Sequence, residues 1–351
     1  MKTLFLVFLL FSISIGLQSC SEQYNTEEGI AGIYVITDSS SNTVGEEITI
    51  SVKTSGTQAQ DVTAASDIFV NGELLSSPVF TTENPGTFAI TARYDSFESD
   101  TLEVEFTELP EINFKKRVLV EDYTGTWCGW CPRVSYGMKL LSEQSDAAVF
   151  VAIHRAPSGT QDPYTYDDAD DLEILINTPG YPKGFLNRLT QWNFPEPENV
   201  SQAIALTQGS NPKLGLKMAS SIANNQIDLT VSALFAQDFE DLKLVVYLLE
   251  NGLVYPQVNY TSYYNGENPI DNYIHNYTLR KTLTNIIGDA INNVDTRDES
   301  EFIRTFTLSV PENVTDVNQV DFVAFLTDSE GHVINARKST LGEIQDYEIL
   351  E

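Results

Sequence analysis

Basic residues are scarce in this chain of 351 residues: Lys and Arg total 20 against 50 for Asp and Glu, a formal net charge of -30 at pH 7. Nucleic acid is thereby excluded as a partner, because phosphate binding relies on Lys and Arg displacing counterions, and the same surface repels an anionic lipid face. The charge keeps the protein soluble instead. Beyond the first twenty residues there is no apolar run long enough to cross a bilayer, and internal repeats and low-complexity tracts are lacking. Cysteine is limited to Cys20, Cys128 and Cys131, and histidine to His154, His275 and His332, scattered along the chain. Structural zinc usually takes four ligands, which one CxxC pair and dispersed histidines do not supply. Covalent c-type haem needs CxxCH, and Pro132 fills the histidine position. Neither a metal nor a cofactor is expected. What the chain does have is apolar side chain, 42% with 11% aromatic, enough to bury two or three cores at about 150 residues per domain.

Met1-Lys2-Thr3 precedes an apolar run from Leu4 to Leu17, followed by polar residues from Ser21. This is a secretory signal layout, and fourteen residues span about 21 Å as a helix, short of the ~30 Å hydrocarbon core. Leu17-Gln18-Ser19-Cys20 resembles the lipobox of bacterial lipoproteins. That resemblance implies a signal peptide over residues 1–19, lipidation of Cys20 and a lipidated tether over 20–28. With Ser21 rather than aspartate after the cysteine, it also implies an outer-membrane anchor in the cell envelope, facing either the periplasm or the surface. Several acyl chains at about 0.8 kcal/mol per buried CH2 hold such an anchor stably.

Residues 29–109 read as short alternating runs, Ile48–Val52, Ile68–Val70, Phe88–Ala92 and Leu102–Phe106, with turns at Asn71-Gly72 and Asn84-Pro85-Gly86. Period-two alternation predicts an immunoglobulin-like β-sandwich. After Leu109-Pro110 the period changes. Val118-Leu119-Val120 and Val149–Ile153 are buried-strand runs flanking Val134, Met138 and Leu141 at helical spacing, a strand-helix-strand unit within residues 110–211. From 212 to 351 strands return, with a hairpin at Asp328-Ser329-Glu330-Gly331, and predict a second β-sandwich. The expected fold class is multidomain α+β: a sandwich, a central α/β domain and a C-terminal sandwich.

Trp127-Cys128-Gly129-Trp130-Cys131-Pro132 lies between the strand ending near Tyr123 and the helix containing Met138. At a helix N-terminus unpaired backbone N–H groups and the macrodipole favour a thiolate, which makes Cys128 the candidate nucleophile. Cys131, three residues on, is placed to resolve a mixed disulfide. A structural disulfide without turnover stays open, since exported proteins carry such bonds. Val118 to Cys131 resembles the first strand and active-site turn of the thioredoxin superfamily. The resemblance implies a thioredoxin-like α/β fold and thiol-disulfide oxidoreductase activity on the thiols or disulfides of exported proteins. It also implies that Asp122 is a buried acid able to accept the resolving thiol's proton, with Glu121 as the neighbouring alternative. Gly180-Tyr181-Pro182-Lys183 is similar to the family's cis-proline loop, with Pro182 the better match and Pro179 the other, and a cis bond at Pro182 exposes the Tyr181 backbone to an extended peptide; the alternative is a trans proline in a turn. Trp127, Trp130 and Tyr181 are the candidate substrate contacts. His154 ends the second strand on the same sheet edge, where a cation depresses the Cys128 pKa; the alternative is a locally hydrogen-bonded histidine. Pro132 and Trp130 depart from the thioredoxin pattern.

The mature chain also resembles a narrower group, the outer-membrane-protein-28-related lipoproteins of Bacteroidetes. The residues that carry this are Glu121 to Pro132, Val151-Ala152-Ile153-His154 and His275 to Arg280. For that group an adhesive surface role stands beside thiol chemistry. A non-catalytic binding protein is therefore the alternative reading, and it has its own feature. Six tyrosines from Tyr255 to Tyr277 interleave with asparagines, the amphipathic composition of binding loops or of a loop packed on its own sandwich. Oligomeric state is not legible.

Overall fold

The computed structural model describes residues 30–56, 58–177 and 180–350. The signal segment, Cys20 and the tether over 20–28 lie outside the described residues. Pro110 closes the first of two compact units, and Glu111 opens the second.

Alternation builds the first unit. In the strand Ile48–Ser55, Ile48, Ile50 and Val52 point inward and are fully buried, while Thr49 faces water. This strand pairs with Gly32–Thr37 and Val79–Phe80 in one sheet. A second sheet runs Ser41–Thr43, Leu102–Thr107, Gly86–Tyr94, Asp67–Val70 and Glu73–Leu74, with Phe97–Glu98 folded back on Gly86–Tyr94. Ile50, Val70, Ile90 and Phe106 share one core, a sandwich-like arrangement. Asn71 and Gly72, with φ of 50° and 85°, make the two-residue left-handed turn that matches strand twist.

The second unit is organised by one mixed sheet of nine strands. The order is Thr190–Gln191, Lys183–Leu186, Val118–Thr124, Ala148–His154, Thr278–Thr282, Lys243–Glu250, Val320–Thr327 and Val333–Thr340, with Asp289–Ala290 also on Lys243–Glu250. Val118–Thr124 and Ala148–His154 are parallel, as are Ala148–His154 and Thr278–Thr282; Lys243–Glu250 and Val320–Thr327 are antiparallel. Helix α1 (Pro132–Gln144) buries Val134, Met138 and Leu141 against Val118, Val120 and Phe150. The helices α2 (Asp170–Leu175) and α3 (Val200–Ala205) are short. A three-stranded sheet, Leu214–Ala223, Gln226–Phe235 and Glu301–Ser309, covers the far half of the large sheet through Leu244, Val246, Leu248, Phe322 and Ala324.

The expected fold class is corrected here. The chain is mainly β. No thioredoxin-like α/β domain stands apart between two sandwiches, because the strands flanking the cysteines and those of the C-terminal third form one sheet. The reason lies in the apolar runs. Lys243–Glu250 is apolar on both parities: Val245, Tyr247 and Leu249 join Leu119, Val151 and Ile153 in a core on one face, while Leu244, Val246 and Leu248 fill the other. Such strands need cover on both faces and neighbours on both edges. Thr278–Thr282 supplies the second neighbour that Ala148–His154 requires.

Candidate functional site

Strand Val118–Thr124 delivers the chain into the turn Gly125–Trp130, and α1 carries it away. Cys128 and Cys131 are bonded to each other, Cα to Cα 5.4 Å apart, and are 4% and 1% exposed. The Cys128 N–H donates to Gly125 O (3.0 Å), and Cys131 N–H donates to Cys128 O (3.2 Å). Pro132 is the first helical residue, where a missing N–H costs nothing, so the residue capping α1 is Cys131; Cys128 stands one turn upstream.

Parity along the strand separates the two acids. Val118 and Val120 face α1, and Asp122 follows them. It is 2% exposed, its Oδ1 has no hydrogen-bond partner among the described residues, and burial, reinforced by Glu196 and opposed by Arg133, holds its carboxyl well above the usual carboxylate range. Glu121 faces the opposite side, where Arg188 (3.0 Å) and the Tyr123 hydroxyl (3.1 Å) bind it.

On the Trp127 side of the turn, its indole Nε1 donates to Arg155 O (2.8 Å), and its ring meets that of Tyr181 edge-on at 5.7 Å. The Tyr181 hydroxyl donates to Glu173, which also pairs with Arg155. The Tyr181–Pro182 peptide is cis, immediately before the strand Lys183–Leu186, whose Lys183 lies opposite Tyr123. Trp130 is 54% exposed and packs edge-on against Tyr260 at 6.0 Å.

His154 is buried, and its Nδ1 lies 2.9 Å from Asp162 Oδ2. Asp162 in turn accepts the N–H groups of Thr126 (2.7 Å) and Tyr164 (2.8 Å). Burial works against the Asp162 carboxylate, but His154 and these donors bring it below its ordinary range. The sequence gives no hint that two of the scattered histidines meet, yet the ring of His275 lies 5.2 Å from that of His154. Both line a cavity of about 420 Å³ with Asp122, Ser135, Met138 and Tyr273.

Burial, then His154, pushes His275 down to about 4. The unfolded chain takes up this proton near 6.5 and the folded chain only near 4, so stability is fully present above pH 6.5 and drains away as pH falls toward 4. His275→Gln is expected to flatten that slope in thermal midpoints measured from pH 7 to 4. An unchanged slope would mean that another group titrates there.

Part of the tyrosine-rich stretch packs on α1, while Tyr255 and Tyr260 stay exposed. Tyr263 stacks on Tyr136 of α1 at 4.5 Å, and the Tyr273 hydroxyl donates to Ser135 Oγ at 2.9 Å. Val258 N–H donates to Thr126 O (2.9 Å) and Tyr260 N–H to Gly129 O (2.7 Å), so this loop walls the cysteine turn. Sequence reasoning missed Asp162, Gln257, Tyr260 and His275. The signals at hand were the density of tyrosine around Tyr260 and the place of His275 in the stretch His275 to Arg280 that carries the family resemblance.

A family of outer-membrane proteins covers much of the second unit. Residues 169–345, just over half of the chain, match the family described as outer membrane protein Omp28. The chain belongs to that family, and its place is the outer membrane of the cell envelope, as the lipobox resemblance implied. Cys128 and Cys131 precede the matched stretch. Among solved structures the chain is similar to HBP35 of Porphyromonas gingivalis, at 20% identity and a TM-score of 0.51, over 66% of this chain and 77% of that one; the likeness is one of fold. It is more loosely similar to protein AGR_C_4864 from Agrobacterium tumefaciens, at 13% identity and a TM-score of 0.41, over 65% of this chain and 96% of that one. A domain of the outer membrane lipoprotein Omp28 from Porphyromonas gingivalis is similar at 14% identity and a TM-score of 0.25, over 37% of this chain and 88% of its own. No curated protein matches the chain.

Proposed function

We propose that this outer-membrane protein, anchored by a lipid on Cys20, exchanges thiols and disulfides with exported proteins through Cys128 and Cys131. The observation that carries this reading is the closure of the two cysteines on each other at the start of α1, after a strand that buries Asp122, whose Oδ1 has no hydrogen-bond partner among the described residues. The bonded pair is the oxidised form. A substrate thiolate attacks Cys128 Sγ, the Cys128–Cys131 bond breaks, and Cys131 leaves as a thiolate. A second substrate thiolate then attacks the substrate sulfur of the mixed disulfide, releasing Cys128 as a thiolate and a substrate disulfide. In the reverse direction Cys131 is the attacking thiol of the second step, and Asp122 takes its proton. Trp127 with Tyr181 and the exposed Trp130 offer aromatic surface for the substrate chain, and the Tyr181 backbone before Pro182 offers strand-like pairing. His154 acts through Asp162, which holds the Thr126 N–H and so the turn.

The binding-protein alternative drew its support from the tyrosine-rich stretch, and Tyr263 and Tyr273 are spent on α1 instead. The redox potential of the pair, titrated against glutathione, tests the reading. Values of about -120 to -270 mV belong to exchanging pairs and values below about -300 mV to inert structural bonds. A couple inside the first window, abolished by Cys128→Ser, is the expected result; one well below it would leave a structural staple.

A further inference from the structure

The carbonyls of the cysteine turn are already taken by the chain itself. Thr126 O and Gly129 O accept the N–H groups of Val258 and Tyr260, two residues apart, as successive inward donors of an extended strand do. Gln257, 3% exposed, adds its side-chain Nε2, placed within reach of Gly125 O (3.3 Å) and Cys128 O (3.0 Å). The Tyr260 ring lies on Gly129 so closely that a Cβ there would stand 2.3 Å from Tyr260 Cδ2. The φ of Gly129 is not among the positive values, so space rather than backbone conformation calls for glycine at this position.

Gln257 and Asn259 also make bonds within the loop that do not involve the turn. The Asn259 side chain donates to Tyr263 O and Glu267 O and accepts the Thr261 N–H, while Gln257 and Ile270 exchange backbone bonds. The segment in contact with the turn is thus a short span braced from behind. Both cysteines of the turn are buried, 4% and 1% exposed.

We infer that Gln257–Tyr260 is a built-in strap that closes the cysteine turn and occupies, with its own backbone, acceptors that an extended polypeptide substrate would use. The inference rests on the exchange reading above. An incoming chain displaces the strap by donating its own N–H groups to Thr126 O and Gly129 O, so that loss on one side is matched by gain on the other. Extended polypeptides compete for the site; small thiols, which have no backbone strand to offer, meet it closed.

The test is the rate at which a water-soluble phosphine reduces the Cys128–Cys131 bond in the full protein, followed by alkylation of the freed thiols. The phosphine is oxidised to its oxide with oxygen from water, and the disulfide becomes two thiols. Gly129→Ala, which pushes Tyr260 off, and Gln257→Leu, which removes the side-chain bonds, are each expected to speed reduction about tenfold, the scale of one or two lost hydrogen bonds. Adding Tyr260→Ala to Gly129→Ala gives the new methyl room and is expected to bring the rate back to within about twofold of the parent, as a relieved clash should. Parent-like rates in both single variants overturn the strap. A fast rate in Gly129→Ala that Tyr260→Ala does not lower also overturns it, since the change would then act on the disulfide alone. The exchange reading fails separately, on the equilibrium potential, which these rates do not measure.

Discussion

Arg188→Leu is expected to destabilise the second unit by about 3–5 kcal/mol, read as a fall in its urea midpoint. The guanidinium is completely buried between Glu121, the Tyr247 hydroxyl and Ile286 O, with the Phe325 ring 4.7 Å from its centre. Removing it leaves the Glu121 carboxylate in an apolar core with the Tyr123 hydroxyl as its remaining side-chain hydrogen bond among the described residues. The cost arises from that uncompensated charge more than from the worth of the pair. Glu121→Leu together with Arg188→Leu is therefore expected to recover most of the loss, because replacing both partners by apolar side chains is often neutral. A single-variant loss under about 1 kcal/mol would show that water reaches the pair.

Asp122→Asn is expected to do two opposite things. Burial raises the carboxyl, so the folded protein keeps its proton at pH values where the unfolded chain, at the ordinary 3.8, has lost it. The folded state then binds more protons, and its stability is fully present below pH 3.8 and declines as pH rises through the folded-state value. The amide does not titrate. The variant should gain over the parent as pH rises, with the difference vanishing near pH 3.5, a slope opposite in sign to that of His275. The exchange rate moves the other way: loss of a proton acceptor for Cys131 is expected to slow release of a mixed disulfide by about 10²-fold or more, while its formation at Cys128 is less affected. Quenched-flow kinetics on a disulfide peptide separate the two steps. Equal slowing of both would remove Asp122 from the proton transfer and leave it a structural acid.

What the sequence disclosed followed from local pattern. Alternation at Ile48, Ile50 and Val52 marked an inward face, Asn71-Gly72 marked a turn, and helical spacing of Val134, Met138 and Leu141 marked the stripe of α1. The sequence left Asp122 and Glu121 as alternatives, and the structure separates them, since successive strand residues point to opposite faces. What stayed hidden was pairing across long separations. Nothing in Thr278–Thr282 says that it lies beside Ala148–His154, because apolar periodicity reports burial and not the neighbour. The same blindness concealed the meeting of His154 with His275 and the seating of the tyrosine loop on the cysteine turn. The expected α/β domain was read from a correct local motif whose sheet is completed from elsewhere.

The strand order bears on how this family can be divided. Val118–Thr124 and Ala148–His154 are interior strands, with Lys183–Leu186 on one flank and Thr278–Thr282 on the other. An excision at residues 169 and 345 would therefore open a gap in the middle of the sheet and leave two raw edges, the condition that invites strand exchange and aggregation. Inheritance of the family body without the segment that bears the cysteines would require some other chain to fill that gap. The strands on either side of the cysteine turn are thus part of the scaffold itself, whatever becomes of the chemistry between them.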